Sequence, residues 1–397
     1  MEFPIEKHTI FLVLSGSHSY GMARPESDID LRGIAIPPAE YFHGYLRQFE
    51  QCEESLPRNF DVGGITLLDK IQALVGRTIP ENEAIDSVVY SLPKYVGLCA
   101  TCNPNLLEML WTDESAQLFR TPLANLLLEN RDLFLSTKVR WSYSGYAMSQ
   151  LKRIKLHRQH LLHPPSHKPT RADFGLPEHT MMPRDQLMAA ESLVSRKIEE
   201  WLGSKEELPK DVLLEVRQRT TRAIRDIWSA LATDCEVAPP LTEDGDLDEG
   251  RIRHAAGKLL GYDSNFLELL DRERGYRSKM TQWKQYEDWK ANRNPARAEM
   301  EARFGYDGKH ASHLVRLMRQ AKEILETGKV LVKRPDAAEL LAIRNGAWSY
   351  EQLIEWAEQQ DKELGEFYES SKSPLPKKPD HVKLDALCRH IVEESLR

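Results

Sequence analysis

The stretch SGSHSYGMARPESDIDLRG, residues 15–33, directly follows the apolar run TIFLVL at residues 9–14. That run and IDLRGIAI at residues 29–36 are rich in aliphatic and β-branched side chains and are bounded by turn residues, which predicts two strands. Asp28 and Asp30 stand two positions apart at the start of the second strand. Because strand side chains alternate between faces, both carboxylates are expected to point to the same side.

The paired carboxylates indicate a divalent cation. Two neighbouring negative charges repel each other unless a cation lies between them, and Mg²⁺ (or Mn²⁺) prefers carboxylate oxygens and substrate phosphates. Gly16 lets the backbone approach a phosphate closely, Ser17 offers a hydroxyl, and the turn can present backbone N–H groups to an anion. Either feature alone is usually a plain turn or a solvated strand face. Together they predict metal-assisted nucleotidyl transfer from an NTP.

Composition limits the classes of protein that need to be considered. The chain has 397 residues, of which 41% are apolar and 29% charged, and this is ordinary for a globular protein. No apolar run approaches the ~18 residues needed to span a bilayer, and the N-terminus does not resemble a signal peptide. We therefore expect a cytoplasmic protein without membrane contact. The net charge of −7 means that any nucleic acid must be bound by a local basic patch.

The order of strand and helix signals predicts an α+β fold. SVVYSL at residues 87–92 is expected to form a third strand that leads into a helix capped by Ser91. We expect a small mixed-sheet nucleotidyltransferase domain over residues 1–135 and a large helical domain, binding nucleotide or RNA, over residues 136–397. Helical periodicity predicts helices over residues 116–135, 138–163, 185–202, 210–233, 251–271, 308–327 and 348–370.

Gly16-Ser17 followed by S-D-I-D-L-R-G at residues 27–33 resembles the signature of the DNA polymerase beta-like nucleotidyltransferase superfamily. Within that superfamily the chain resembles the bacterial and phage group associated with RNA repair. The resemblance spans most of the chain and is carried by residues 86–111, 143–153, 305–330, 340–346 and 373–380. It implies a divalent metal, an NTP, an RNA acceptor, nucleotide contacts from Gly16, Ser17 and Ser27, and a third carboxylate on a neighbouring strand.

Three aspartates are candidates for the third carboxylate. Asp86 precedes the VVY strand and is our first choice. Asp61, in the glycine-rich sequence NFDVGG, is the second, and Asp69 lies in LLDKIQALV, which is predicted to be a helix with a solvated carboxylate. In two-metal phosphoryl transfer, Asp28 and Asp30 would hold the ion on the triphosphate, and Asp86 would share the ion that activates the attacking hydroxyl.

A basic window at residues 133–172 contains no Asp or Glu, eight Lys or Arg and four histidines. Such a window attracts a triphosphate or a nucleic-acid backbone. Tyr143 and Tyr146 lie one turn apart, so Tyr146 could stack on a base while Lys152 and Arg153 hold phosphate. The alternative is a solvated basic helix with core tyrosines. The spacing of the four histidines, His157, His160, His163 and His167, does not match a closed zinc site.

A second basic stripe is expected on the helix at residues 308–327. Lys309, His313 and Arg316 are spaced at i, i+4 and i+7, so they lie on one helix face. Most such faces are simply solvated. The family resemblance places this one in the active-site cleft, with Arg344 as a helper.

The leading hypothesis is a Mg²⁺-dependent nucleotidyltransferase that adds nucleotides to an RNA 3′ end during repair. A second hypothesis is an adenylyltransferase that modifies a protein or small-molecule hydroxyl, which would need a closed pocket and a less basic surface. A third is an inactive scaffold that binds nucleotide or RNA. The intact pair Asp28 and Asp30 argues against the scaffold.

Overall fold

The computed structural model describes residues 3–43, 45–180, 183–202, 249–293, 301 and 303–397. A small mixed sheet in the N-terminal region is followed by many helices, which confirms the predicted α+β class. The helix predicted over residues 210–233 lies outside the described residues. Within the described ranges, no helix combines the length and the apolar character that crossing a membrane requires.

The sheet has five strands in the order β3-β4-β2-β1-β5. Strands β2 and β4 are parallel, whereas β1 is antiparallel to both β2 and β5, and β3 is antiparallel to β4. The strands are β1 Thr9–Leu14, β2 Ile29–Ala35, β3 Gln51–Cys52, β4 Ile85–Ser91 and β5 Gln117–Arg120.

The helix predicted over residues 116–135 is wrong in its first part, where the structure has strand β5. Three of the four residues of β5 pair with the free edge of β1, and the helix α7 begins only at Pro122. Proline suits the first turn of a helix because its missing N–H would have no partner there. The edge of β1 thus supplies backbone hydrogen bonds that sequence periodicity does not register.

The short helices of the N-terminal region are α1 Ile5–His8, α2 Gly16–Ser19, α3 Glu40–His43, α4 Leu67–Val75, α5 Leu92–Ala100, α6 Pro104–Leu107 and α7 Pro122–Glu129. Helix α5 starts as predicted, since the Ser91 side chain accepts a hydrogen bond from Lys94 N at its first turn. A 3₁₀ turn, Glu108–Trp111, follows α6.

The later helices are α8 Val139–Leu162, α9 Arg184–Leu202, α10 Glu249–Leu259, α11 Ser264–Ala291, α12 Gly308–Thr327, α13 Ala337–Arg344, α14 Tyr350–Glu369 and α15 His381–Ser395. Four of them agree closely with predicted helices. The predicted helix over residues 251–271 is instead divided between α10 and α11. Gly261 between them has a φ of +85°, and Asp263 caps α11 by accepting a hydrogen bond from Phe266 N.

Both faces of the sheet are buried. In β1, Phe11 and Val13 belong to one apolar core and Leu12 and Leu14 to the other, as strand alternation requires. The first of these cores also contains residues of α8 and of α12 to α15. The C-terminal helices therefore pack on the N-terminal sheet and bring their side chains to it.

The chain forms two compact units. One combines residues 1–163 with residues 294–397, and the other comprises residues 164–293. In the second unit, Leu187, Leu267 and Leu270 form a small core between α9 and α11. The predicted division into a nucleotidyltransferase domain (residues 1–135) and a nucleotide- or RNA-binding domain (residues 136–397) stays a prediction.

Candidate active site

Acidic side chains gather at the beginning of β2 and β4. In the parallel register of these strands, Asp30 is the partner of Asp86, and Asp28 lies just before β2. Partners in a parallel pair point to the same face of the sheet, so the side chains of Asp30 and Asp86 share one face. Asp28 and Asp86 are exposed, and Asp30 is partly buried.

The turn after β1 lies directly against Asp30. Ser15 N donates a hydrogen bond of 2.8 Å to the backbone oxygen of Asp30. Gly16 has a φ of +64°, and a Cβ atom added there would lie 2.8 Å from Asp30 Oδ2. Only glycine accepts both this backbone conformation and this close approach. Ser27 Oγ accepts a hydrogen bond from Arg24 N, which orders the segment before Asp28.

A cavity of about 370 Å³ opens over this turn. An adjoining cavity of about 310 Å³ shares Ser27 and Asp28 with it and is lined by Asp86. The sequence-predicted residues that line the larger cavity are Gly16, Ser17, Ser27, Asp28, Asp30, Tyr146, Lys309, His313, Arg316 and Arg344.

The three carboxylates supply oxygen donors of the kind that a divalent metal needs, although their ligand atoms are not all within 4.8 Å of one another. Their oxygens are the ligands that Mg²⁺ and Mn²⁺ prefer. Burial raises the pKa of Asp30, and the negative charges of Asp28 and Asp86 add to that rise. Arg32 and Lys309 act in the opposite direction. A cation held between the carboxylates would relieve the same repulsion.

Lys309 brings a positive charge from α12 to the acidic cluster. Its Nζ lies 3.4 Å from Asp28 Oδ2, and both side chains keep substantial exposure to solvent. Helix α12 begins at this point because Asp307 Oδ1 accepts hydrogen bonds from the backbone N–H groups of Lys309 and His310. The ammonium can therefore reach a phosphate that approaches the carboxylates.

Arg316 forms the buried floor of the cavity. Its Nη1 donates a 2.7 Å hydrogen bond to Glu108 Oε1, and Glu108 Oε2 accepts another of 2.8 Å from the Tyr20 hydroxyl. The guanidinium carbon also lies 3.8 Å from the centre of the Tyr20 ring, a cation–π contact. Burial opposes the charge on Arg316, but Glu108 and Tyr20 outweigh it and hold its pKa above the usual value. Arg316 is thus fixed as a permanent cation.

His313 and Tyr146 form one aromatic wall. Their ring centres are 5.1 Å apart with an interplanar angle of 77°. His313 Nδ1 also lies 3.3 Å from Arg316 Nη2. Burial, reinforced by the charge of Arg316, holds the pKa of His313 well below its usual range. His313 is therefore neutral at pH 7, and the wall can contact an uncharged base.

Two predicted residues lie elsewhere. Lys152 and Arg153 are exposed on α8 and lie outside the described lining of both cavities. Arg153 is still close enough to lower the pKa of His313. Tyr143 is fully buried in the core, whereas Tyr146, one turn later, faces the cavity. Burial of Tyr143 agrees with the alternative of a core tyrosine, whereas Tyr146 lies on the face predicted for it.

The alternative aspartates have other roles in the structure. Asp61 Oδ1 accepts hydrogen bonds from Gly63 N and Gly64 N, which closes a loop. Asp69 lies in α4, as predicted, and accepts a hydrogen bond from the Thr66 hydroxyl. Both lie outside the described lining of the two cavities.

Sequence reasoning missed several residues of the cavity. Arg32 lies two positions after Asp30 on β2 and also lines the cavity, so strand alternation could have identified it. No sequence pattern of this kind identifies Tyr20 or Glu108 as residues of the cavity. Glu108 meets Arg316 across 208 positions of sequence, and local patterns carry no information on such a contact.

The N-terminal part of the chain is similar to a known protein family. Residues 3–163 match the family described as the RNA repair pathway DNA polymerase beta family. The chain is also 24% identical, over 398 aligned positions that cover 96% of each protein, to an uncharacterized 38.9 kDa protein from the nrdC-mobD intergenic region of Enterobacteria phage T4. No solved structure matches the chain significantly. The segment of residues 3–163, which carries the acidic cluster and the turn against it, is thus similar to a DNA polymerase beta-like family linked to RNA repair.

Proposed function

We propose that this protein is a metal-dependent nucleotidyltransferase that transfers a nucleotide from an NTP to the 3′ hydroxyl of an RNA. The observation that carries the proposal is the pairing of Asp30 with Asp86 across β2 and β4, with Asp28 beside them. Three carboxylates next to a Gly-Ser turn form an arrangement suited to attack on the α-phosphate with release of pyrophosphate.

In this mechanism the three carboxylates would hold two cations with different roles. Asp28 and Asp30 would hold the cation that carries the triphosphate, and Asp86 would help to hold the one at the acceptor hydroxyl. When bound, Mg²⁺ or Mn²⁺ neutralises phosphate charge and lowers the pKa of that hydroxyl. Gly16 and Ser17 present the turn to the phosphates. The Lys309 ammonium, 3.4 Å from Asp28, is available to the same charges.

The rest of the cavity would bind the nucleoside. Tyr146 and His313 offer ring surfaces against which a base can pack. Arg316, fixed by Glu108, positions His313 and adds positive potential without leaving its buried site. Arg344 completes the lining. We assign these residues to nucleotide binding and not to the chemical step.

An RNA acceptor is supported by two observations. The matched family is described by its link to RNA repair pathways. Helix α8 also exposes Lys152 and Arg153 in a window of residues 133–172 that lacks carboxylates. Cations of this kind attract a phosphate backbone with little regard for sequence. The helical part of the chain would therefore bind the acceptor as well as the nucleotide.

One assay distinguishes the acceptors. The protein is incubated with each labelled NTP, Mg²⁺ or Mn²⁺, and either a tRNA-like RNA or bulk protein. We expect extension of the RNA, and a loss on the order of 10²–10⁴-fold in Asp30→Ala, because both charge stabilisation and positioning are removed. Label on protein would show that the acceptor is a protein hydroxyl and not an RNA. No transfer to either acceptor would overturn the proposed activity.

A further inference from the structure

A second cluster of metal-ligand side chains lies where α8 meets the beginning of α12. His157, Asp307 and His310 each offer one ligand atom there, and these atoms all lie within 4.8 Å of one another. Asp307 is buried, and the two histidines are partly buried. The carboxylates of the candidate active site belong to other elements, so the two clusters are distinct.

The side chain of Asp307 is already oriented. Its Oδ1 accepts hydrogen bonds from Lys309 N at 2.8 Å and from His310 N at 3.2 Å, which fixes the carboxylate at the helix start. Its Oδ2 then points toward His310 Nε2, at a distance of 3.6 Å. Zinc bonds of about 2.0–2.2 Å place tetrahedral ligand atoms about 3.3–3.6 Å apart. This pair of atoms already has a separation that suits a shared ion.

His310 is oriented in the way that metal-binding histidines usually are. Its Nδ1 lies 2.7 Å from Oε1 of Gln150, a buried residue of α8. A proton on Nδ1 is donated to that amide oxygen, so the lone pair is on Nε2, the nitrogen that faces Asp307. Histidine ligands commonly donate their second ring N–H to a carbonyl or carboxylate in this way, which fixes the tautomer.

The carboxylate of Glu301 lies close to His157 and could supply a fourth ligand. Glu301 Oε1 lies 3.7 Å from His157 Nδ1, and the Glu301 side chain is only 3% exposed. Glu301 therefore adjoins, at His157, the three side chains whose ligand atoms all lie within 4.8 Å of one another.

We propose that His157, Asp307 and His310, with Glu301 as the fourth ligand, bind a zinc ion that fastens α8 to the beginning of α12. Two imidazole nitrogens and carboxylate oxygens suit Zn²⁺, whereas Mg²⁺ prefers oxygen ligands alone. The four ligands are largely shielded from solvent, which is typical of a structural site. The ion would fix the spacing between Tyr146 on α8 and Lys309 on α12.

The histidine spacing within α8 gives no hint of this site. His157 is the ligand from that helix, and the other three ligands come from residues 301–310, about 150 positions later. The site therefore depends on the packing of α8 against α12 and not on a local motif.

The test uses the purified full-length protein, stripped with a chelator and reloaded with zinc alone. Metal content is measured by mass spectrometry, and Co²⁺ is substituted to record the visible absorption typical of a tetrahedral site. We expect one zinc per chain, resistance to excess Mg²⁺, and a melting temperature that falls when the metal is removed. Failure of the unmodified protein to retain zinc would overturn the proposal without reference to any variant.

Variants then locate the ion. His310→Gln and Asp307→Asn should weaken zinc binding by about 100-fold or more, and the asparagine keeps the oxygen that caps α12. His163→Gln, at the exposed end of α8, and Asp30→Asn, in the other acidic cluster, should keep the zinc content of the unmodified protein. Unchanged binding in His310→Gln and Asp307→Asn, or loss of zinc in Asp30→Asn, would overturn the assignment.

Discussion

Gly16 is the residue on which the position of the Asp30 carboxylate depends most directly. Its φ of +64° permits the turn after β1, and its missing side chain leaves room for Asp30 Oδ2. From the sequence, Gly16 was predicted to let the backbone approach a phosphate closely. The structure adds that the glycine accommodates a carboxylate, which could not be predicted because it depends on the pairing of β1 with β2.

Gly16→Ala should impair both stability and transfer. A left-handed φ costs an alanine about 1–2 kcal/mol, and the new methyl group must displace the Asp30 carboxylate. A displacement of about 1 Å at a catalytic group can reduce the rate by about 100-fold. Gly76→Ala is the matched control, since Gly76 has a φ of +71° and no neighbouring atom within 4 Å of an added Cβ.

Urea unfolding and a nucleotide-transfer assay test this pair of variants together. We expect a loss of unfolding free energy in Gly16→Ala at least as large as in Gly76→Ala, but a loss of transfer in Gly16→Ala alone. Equal transfer rates in the two variants would show that the contact between Gly16 and Asp30 is unimportant.

His313 should make the stability of the protein sensitive to acid. Burial and Arg316 hold its pKa well below the unfolded value of about 6.5, so the unfolded chain binds the proton more readily. Stability that is fully present above the unfolded pKa is therefore lost as the pH falls below it. His313→Gln should flatten this dependence, as measured by melting temperature between about pH 7.5 and pH 5.5.

The exposed residue His163 supplies the control, because His163→Gln should retain the acid sensitivity of the unmodified protein. An unchanged profile in His313→Gln would mean that another group accounts for the acid sensitivity.

At the scale of elements, α12 links the candidate site to the core. Its sequence predicted its bounds correctly, since an apolar stripe beside a basic one is a strong helical signal. Strand β5 was missed because three of its four residues pair with β1, a partner more than 100 positions away. Helical periodicity was thus reliable for long amphipathic segments and unreliable for a short edge strand.

The pair formed by Arg316 of α12 and Glu108 of the 3₁₀ turn should be a major contributor to stability. Both side chains are almost fully buried, at 1% and 5% exposure. Glu108→Gln leaves the guanidinium buried without its counter-charge, which costs about 3–5 kcal/mol. The measurement is the free energy of unfolding in urea.

An exposed ion pair provides the comparison. Arg389 and Asp385 on α15 are 67% and 68% exposed, so Arg389→Ala should cost no more than about 1 kcal/mol. If Glu108→Gln lowers the free energy of unfolding no more than Arg389→Ala does, the buried pair does not anchor α12 as we infer.

At the scale of the whole molecule, one compact unit joins the two ends of the sequence. Residues 294–397 share a core with the N-terminal sheet, so α12 can bring Lys309 to Asp28 across 281 positions. The sequence predicted strands β1, β2 and β4 and the Gly-Ser turn between the first two, because these signals are local. It could not predict Glu108 beneath Arg316, since that contact arises only when distant elements pack together.

In the proposed mechanism, Asp28, Asp30 and Asp86 form a single site for nucleotide transfer. Comparison of Asp86→Asn with Asp61→Asn in the RNA-extension assay tests it most directly, because Asp61 was the competing candidate and lies in a separate loop. We expect Asp86→Asn to lose transfer on the order of 10²–10⁴-fold and Asp61→Asn to remain within about twofold of the unmodified protein. Full activity in Asp86→Asn together with loss of activity in Asp61→Asn would contradict the assignment of Asp86 to this site.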